Sequence, residues 1–226
     1  ASAPRAPGVA AVVLAAGRST RMGANKMLAA VDGKPMVRRS VENILAARVS
    51  PVVVVTGHQH EQVEAALAGL PVRLVHSAAH AEGLSASLKT GIGALPADCD
   101  AALVCLADMP RVGAAVIDRL IAAYAPDEGR TICVPTTAGK RGNPVLWDRR
   151  YFAEIQDLRG DVGARHLIGE HADQVCEVAV EDPAIFLDVD TPDALAALGS
   201  PRAKASSRRS GSASPGFPTA DGPGLR

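Results

Sequence analysis

VAAVVLAAGRSTRMGANK, residues 9–26, passes from an apolar run (Val12, Val13, Leu14, Ala15, Ala16) straight into a basic loop. A short continuous apolar run that ends in a glycine-punctuated loop is the pattern of a buried strand emptying into a binding loop. Gly17 and Gly23 let the backbone approach a ligand closely, so that successive N–H groups can point at one anion. Arg18 and Arg21 supply planar forks for paired oxygens and Lys26 a point charge suited to a triphosphate. The spacing is neither GxxxxGK[ST] nor GxGxxG, so the two commonest nucleotide loops are excluded. An ordinary strand-to-helix turn with solvated arginines would carry the same letters, and downstream motifs have to decide.

Around this stretch the chain alternates. PVVVVTG, residues 51–57, is β-branched without alternation, as in a strand buried on both faces of a parallel sheet. A helix is expected after Pro35, which suits a first helical position, with Val37, Val41, Ile44 and Leu45 at helical spacing. A helix over about 61–70, strands at 72–76, 101–107 and 131–134, and a helix at 116–124 continue the pattern. It calls for helices covering a mostly parallel sheet with right-handed crossovers. PVLW at 144–147 reads as a further strand, and strands are also expected near 175–180 and 185–189, before a last helix that Thr191 caps.

Composition narrows the partners. Lys plus Arg and Asp plus Glu number 24 each, so no global field draws the chain to nucleic acid or an anionic membrane. Aromatic residues make up only 3%, which leaves few platforms for stacking bases. The expectation is therefore no nucleic-acid partner and no membrane association, with no run of membrane-span length. Four cysteines, Cys99, Cys105, Cys133 and Cys176, form no CxxC pair, and a reducing, cytoplasmic home fits them. His58 with His60, and His76 with His80, have no third ligand at a metal spacing and read as solvated histidines. The N-terminal ASAPRAPG is expected to be an extension. The region from Gly199 onward, rich in Ser, Gly, Pro and Arg, is expected to be a disordered tail.

Five further stretches carry chemistry. LVCLADMP (103–110) sets Asp108 just past an apolar strand, at the sheet edge where open α/β folds bind ligands. A carboxylate there is a natural hard-oxygen ligand for magnesium, although an aspartate capping the next helix reads the same. FLDVDTP (186–192) adds Asp188 and Asp190, two apart on one face of an extended segment. Asp190 is favoured as a second ligand and Asp188 as its substitute, against a simple role at the following helix start. EGLSASLKTGI (82–92) offers Gly83, Ser85 and Ser87 at a helix N-terminus. GKRGNPVLW (139–147) presents Lys140, Arg141, Gly142 and Asn143 in a loop before a strand, and GDVGARHLI (160–168) adds Arg165. A surface hairpin with solvated charges is the alternative for that loop.

LAAGRSTRMGANK resembles the signature of the molybdenum cofactor nucleotidyltransferases, within the MobA-like and sugar-phosphate nucleotidyltransferases. The resemblance covers about Val9 to Leu198, expected as one domain over 9–198, and implies a Rossmann-like three-layer α/β fold with a mostly parallel, mixed central sheet. The double alanine of LAAG is similar to the cytidylyltransferase branch, whereas guanylyltransferases usually carry LAGG. It implies a nucleotide grip formed by Leu14, Ala15, Ala16, Gly17, Arg18 and Ser19, with Arg21, Gly23 and Lys26 at the triphosphate. Gly83 and Ser85 then face base and ribose, Ala86 standing where a further serine is common. Arg141, Gly142 and Asn143 hold the second substrate, an anionic pterin phosphate. Many relatives have histidine where this chain has Asn143, so acid-base work there is not expected.

What the resemblance implies is a magnesium-dependent transfer of CMP from CTP to molybdopterin with loss of pyrophosphate. Arg21, Lys26 and Asp108 would be catalytic and Asp108 with Asp190 the metal ligands. A molybdenum hydroxylase or its maturation chaperone is the implied partner. Four alternatives remain open: a guanylyltransferase, a cytidylyltransferase of sugar or polyol phosphates, a nicotinamide-dependent oxidoreductase on the same scaffold, and a nucleotide-binding carrier.

Overall fold

The computed structural model describes residues 7–17, 25–160, 163–189 and 191–199. The strands are β1 (Val9–Ala15), β2 (Ala30–Val31), β3 (Lys34–Pro35), β4 (Val52–Thr56), β5 (Arg73–His76), β6 (Ala101–Leu106), β7 (Ile132–Thr137), β8 (Lys140–Arg141), β9 (Val145–Asp148) and β10 (Val175–Ala179). The helices are α1 (Met36–Leu45), α2 (His60–Ala66), α3 (Leu84–Gly93), α4 (Ala114–Ala123), α5 (Phe152–Asp157), α6 (Arg165–Glu170) and α7 (Pro192–Gly199). The main sheet runs β10-β7-β9-β6-β1-β4-β5, with β8 paired to β7 and with β2 and β3 forming a separate hairpin.

Side-chain alternation explains the layers. Val9, Ala11, Val13 and Ala15 of β1 point to one face, where they pack with Val37, Val41 and Ile44 of α1, Val63 of α2 and Ile117 and Leu120 of α4. Val12 and Leu14 point the other way, to Leu88 and Ile92 of α3, Ile155 of α5 and Leu167 of α6. A strand sandwiched between helix layers has no polar face to show, which is why β4 is an all-buried valine run. The mixed, mostly parallel three-layer α/β fold is thus present. β1, β4, β5 and β6 are parallel neighbours, whereas β9 pairs antiparallel with both β6 and β7, and the short β8 antiparallel with β7.

Two sequence expectations need correction. Pro35 does not open α1 but sits one residue before it, as the tail of the β2–β3 hairpin. The strand expected at 185–189 is not formed. Asp182 accepts a hydrogen bond from the Ala184 amide, Pro183 follows, and together they start a single 3-10 turn over Pro183–Phe186. Beyond the turn Val189 holds the chain, its amide donating to the Asp108 carbonyl at 3.0 Å and its side chain buried with Val31 and Met36. Thr191 does cap α7, accepting from the Ala194 amide at 3.2 Å. Cys105 and Cys133 are core residues, and burial pushes both thiols up, Cys133 to about 12. No helix among the described residues is long and apolar enough to cross a membrane. The expected tail and most of the N-terminal extension lie outside the described residues.

Candidate functional site

The chain leaves β1 toward β4 and β5 on one side and later returns through β6 on the other, which opens a crevice at the carboxyl ends of β1 and β6. Two backbone contacts hold its rims together. The Ala107 amide donates to the Leu14 carbonyl at 3.1 Å, and the Ser40 hydroxyl donates to the Ala107 carbonyl at 2.7 Å. Asp108 is therefore fixed beside the loop that follows β1. It does not cap the next helix, since α4 begins at Ala114 with Gly113 in the cap position.

Lys26 approaches from the far end of that loop. Asn25 caps the short turn Lys26–Leu28 by accepting from the Met27 amide at 3.0 Å. This turns the Lys26 side chain inward, where Nζ donates to Asp108 Oδ2 at 2.7 Å, the two side chains being only 9% and 15% exposed. The other carboxylate oxygen, Asp108 Oδ1, is buried with no hydrogen-bond partner. A buried anionic oxygen left unmatched is costly, and a hard divalent cation is the partner such an atom suits. Asp188 is exposed, and the Val189 hydrogen bond brings its segment against the Asp108 backbone.

A cavity of about 300 Å³ surrounds this pair, and its wall includes Leu14, Ala16, Gly17, Lys26, Asp108, His80, Gly83 and Ser87. Gly17 has no atom within 4 Å of the place its Cβ would occupy, so the space above it is open to a ligand. Gly83 adopts φ 117°, a conformation that L side chains rarely take, and this lets α3 start with its first turn against the cavity. Arg18, Ser19, Arg21, Gly23 and Asp190 lie outside the described residues.

The two serines of α3 part company. Both lie inside the first turn of the helix, and residues two apart on a helix face nearly opposite ways. Ser85, expected at the nucleotide, instead donates its hydroxyl to the Gly160 carbonyl at 2.6 Å and lines neither cavity, whereas Ser87 lines the nucleotide cavity. His80, expected as a solvated histidine, instead lines the smaller cavity, and Trp147, expected only as a strand residue, lines a larger, adjoining one; the HAEG stretch ending in Gly83 was the available signal for His80.

Beyond a shared wall of Leu14, Leu84 and Leu106 opens a second cavity of about 630 Å³. Arg141, Gly142, Asn143 and Arg165 all line it, over a floor that includes Trp147 and Val145. Gly142 is there for close approach, because a Cβ would come within 2.6 Å of the Ile185 carbonyl oxygen. Its neighbour Asn143 donates its amide to that same carbonyl at 3.0 Å. Arg141 does not stand alone: its Nε pairs with Glu177 Oε1 at 2.7 Å. The smaller cavity is thus polar at its floor and built for an anion, while the larger is apolar with charge at its edge.

The histidines form a row. His60 and His76 have ring centroids 4.3 Å apart, and His76 and His80 6.0 Å. Among the described residues no group of three His, Cys, Asp or Glu side chains is arranged to hold a metal.

Comparison with known proteins agrees with this geometry. A family model described as the MobA-like NTP transferase domain matches residues 11–175. The purine catabolism protein PucB of Bacillus subtilis is 29% identical over 84% of this chain and 95% of its own length. The molybdenum cofactor cytidylyltransferase of Escherichia coli is 25% identical over 80% of this chain and 91% of its own. Among solved structures, Rv0371c of Mycobacterium tuberculosis H37Rv superposes with a TM-score of 0.76 at 28% identity, covering 86% of this chain and 98% of that one. A second structure of that protein, in complex with manganese, gives a TM-score of 0.72 at 26% identity, over 86% of this chain and 99% of the other.

Proposed function

We propose a reaction for a chain that belongs to the MobA-like NTP transferase domain family and is a nucleotidyltransferase: it transfers CMP from CTP to molybdopterin and releases pyrophosphate. The observation that carries this reading is the pairing of a compact anion cavity, floored by Lys26 and Asp108, with a larger apolar cavity across a common wall. The first suits a nucleoside triphosphate. The second has the size and character for a flat heterocycle carrying a phosphate, with Arg141, Arg165 and Asn143 placed for the anionic end. The LAAG form of the loop and the similarity to the Escherichia coli cytidylyltransferase support cytosine as the base and molybdopterin as the acceptor.

In this reading the acceptor's phosphate oxygen attacks the α-phosphorus of CTP in line. A new O–P bond forms as the bond to the bridging oxygen breaks, and pyrophosphate leaves with the electron pair. The attacking phosphate is already ionised at neutral pH, so no side chain has to remove a proton. Lys26, joined by Arg21, matches the negative charge that accumulates on the transferring and leaving phosphates, and its ion pair with Asp108 holds it in place before the nucleotide arrives. Gly17 leaves the phosphates room to lie against the backbone. The unmatched Asp108 Oδ1 fits a divalent cation, which we take to be magnesium; Asp108 with Asp190 would hold it, and it would supply charge neutralisation to the phosphates. The molybdenum hydroxylase that receives the finished cofactor, or its chaperone, is the proposed partner.

The test is pyrophosphate release with magnesium and molybdopterin, comparing CTP, GTP and ATP, with a sugar phosphate as substitute acceptor and reduced nicotinamide cofactor in a separate arm. Strong CTP preference with molybdopterin is expected. Release with GTP instead would move the chain to the guanylyl branch, and consumption of the nicotinamide cofactor without pyrophosphate would overturn the transferase assignment of the site.

A further inference from the structure

Lys26, Asp108 and the open space over Gly17 suit the phosphates of a nucleotide in the smaller cavity, whose wall also includes His80, Gly83 and Ser87. Resting on the function proposed above, we propose that His80 is a specificity-determining residue of that wall: its Nε2 accepts a hydrogen bond from the exocyclic amino group of the base. A base carrying that group, such as cytosine, is then taken in preference to its amino-less counterpart, uracil.

The ring's chemistry is fixed by its neighbours. His80 Nδ1 lies 2.9 Å from the Ser77 carbonyl oxygen. A carbonyl only accepts, so Nδ1 carries the hydrogen, and in the neutral ring Nε2 is left as an acceptor. No donor of the protein reaches Nε2 among the described residues. Ser77 is itself anchored, its amide donating to the Thr56 carbonyl at 2.8 Å at the end of β4.

The ring's position is equally determined. A Cβ at Gly57 would come within 2.7 Å of His80 Cβ and 2.8 Å of its Cγ, so the absence of a side chain at residue 57 is what seats His80 against the strand end. Ala16 of the LAAG loop borders the same spot, 2.8 Å from that hypothetical Cβ. His76 lies 6.0 Å from the ring, centroid to centroid, and His60 4.3 Å from His76. A polar atom that is held in place, oriented, without a partner and on the wall of a binding cavity is suited to reading a ligand. Cytosine offers an N4 amino donor where uracil offers an O4 acceptor, so the same Nε2 attracts one and repels the other.

The test is equilibrium binding by titration calorimetry with magnesium, on the wild-type chain, His80→Phe and His80→Gln, using two matched pairs: CTP with UTP, and GTP with ITP, which lacks the guanine amino group. The wild type should favour CTP over UTP by about tenfold or more, the ratio that one matched hydrogen bond supplies. His80→Phe, which keeps a flat ring, should bring that ratio close to one by weakening CTP and, with the repulsion gone, strengthening UTP; retained UTP binding also reports an intact fold. His80→Gln, which retains an acceptor oxygen, should recover part of the preference. Pair ratios that His80→Phe leaves as they are in the wild type overturn the assignment, whichever nucleotide the protein uses. A preference for GTP over ITP that His80→Phe removes would keep His80 in this role and overturn the CTP reading instead.

Discussion

The nucleotide side and the acceptor side of the sheet are built on opposite principles. On the nucleotide side, β1, β4, β5 and β6 are parallel, Asp108 stands just beyond a strand end, and a nearly buried ion pair ties Lys26 to it. On the acceptor side, β9 runs against its neighbours, the cavity is twice as large and mostly apolar, and its Arg141 is shared with an exposed partner, Glu177. The difference teaches where tolerance lies. In the proposed function, chemistry common to all nucleotidyl transfer sits where geometry is rigid, and acceptor choice sits where the walls are mostly apolar.

The contrast is most exposed to failure at Asp108. Asp108→Ala is expected to lower turnover by ~1,000-fold or more while far-UV circular dichroism stays native, since the residue serves ligands rather than the core. Wild-type rates in that variant would remove the nucleotide-side assignment altogether. Lys26→Met should cost on the order of 100-fold in kcat/KM for the nucleotide, the loss typical of one charge-stabilising donor, with the KM of the acceptor unaffected. On the other side, Gly142→Ala forces a methyl onto the Ile185 carbonyl. About 1–3 kcal/mol of stability should be lost in denaturant titration, and the acceptor KM should rise about tenfold while nucleotide binding holds. Glu177→Gln is the mildest probe: an exposed ion pair is worth roughly 0.5 kcal/mol, so stability should barely change and acceptor KM should move by about twofold. Equal effects of Gly142→Ala on both substrates would show that the two sides are not separable.

The two sides also differ in how much of them the sequence made legible. The valine run of β4 and the strand leading to Asp108 are visible because burial on both faces leaves no polar letters to confuse the reading. VLW was readable as a strand, yet nothing local says that it enters between β6 and β7 and runs the other way. The FLDV segment carries strand letters, but Asp182 and Pro183 commit the chain to a turn first. Ser85 and Ser87 are indistinguishable by type and spacing until the helix start at Leu84 is known to within one residue. The histidine row was hidden for a longer-range reason: His60 opens α2 and His76 ends β5, and only sheet pairing of β4 with β5 brings them together.

Leu14, Leu84 and Leu106 belong to both cavities at once. A partition of three leucines between two charged substrates leaves no polar foothold for solvent at the place where they meet. Water is the nucleophile that competes with the acceptor phosphate at every turnover, and it outnumbers that acceptor enormously. In the proposed reaction the leucine wall would serve fidelity, keeping an activated nucleotide from being hydrolysed to no purpose while the acceptor is still on its way.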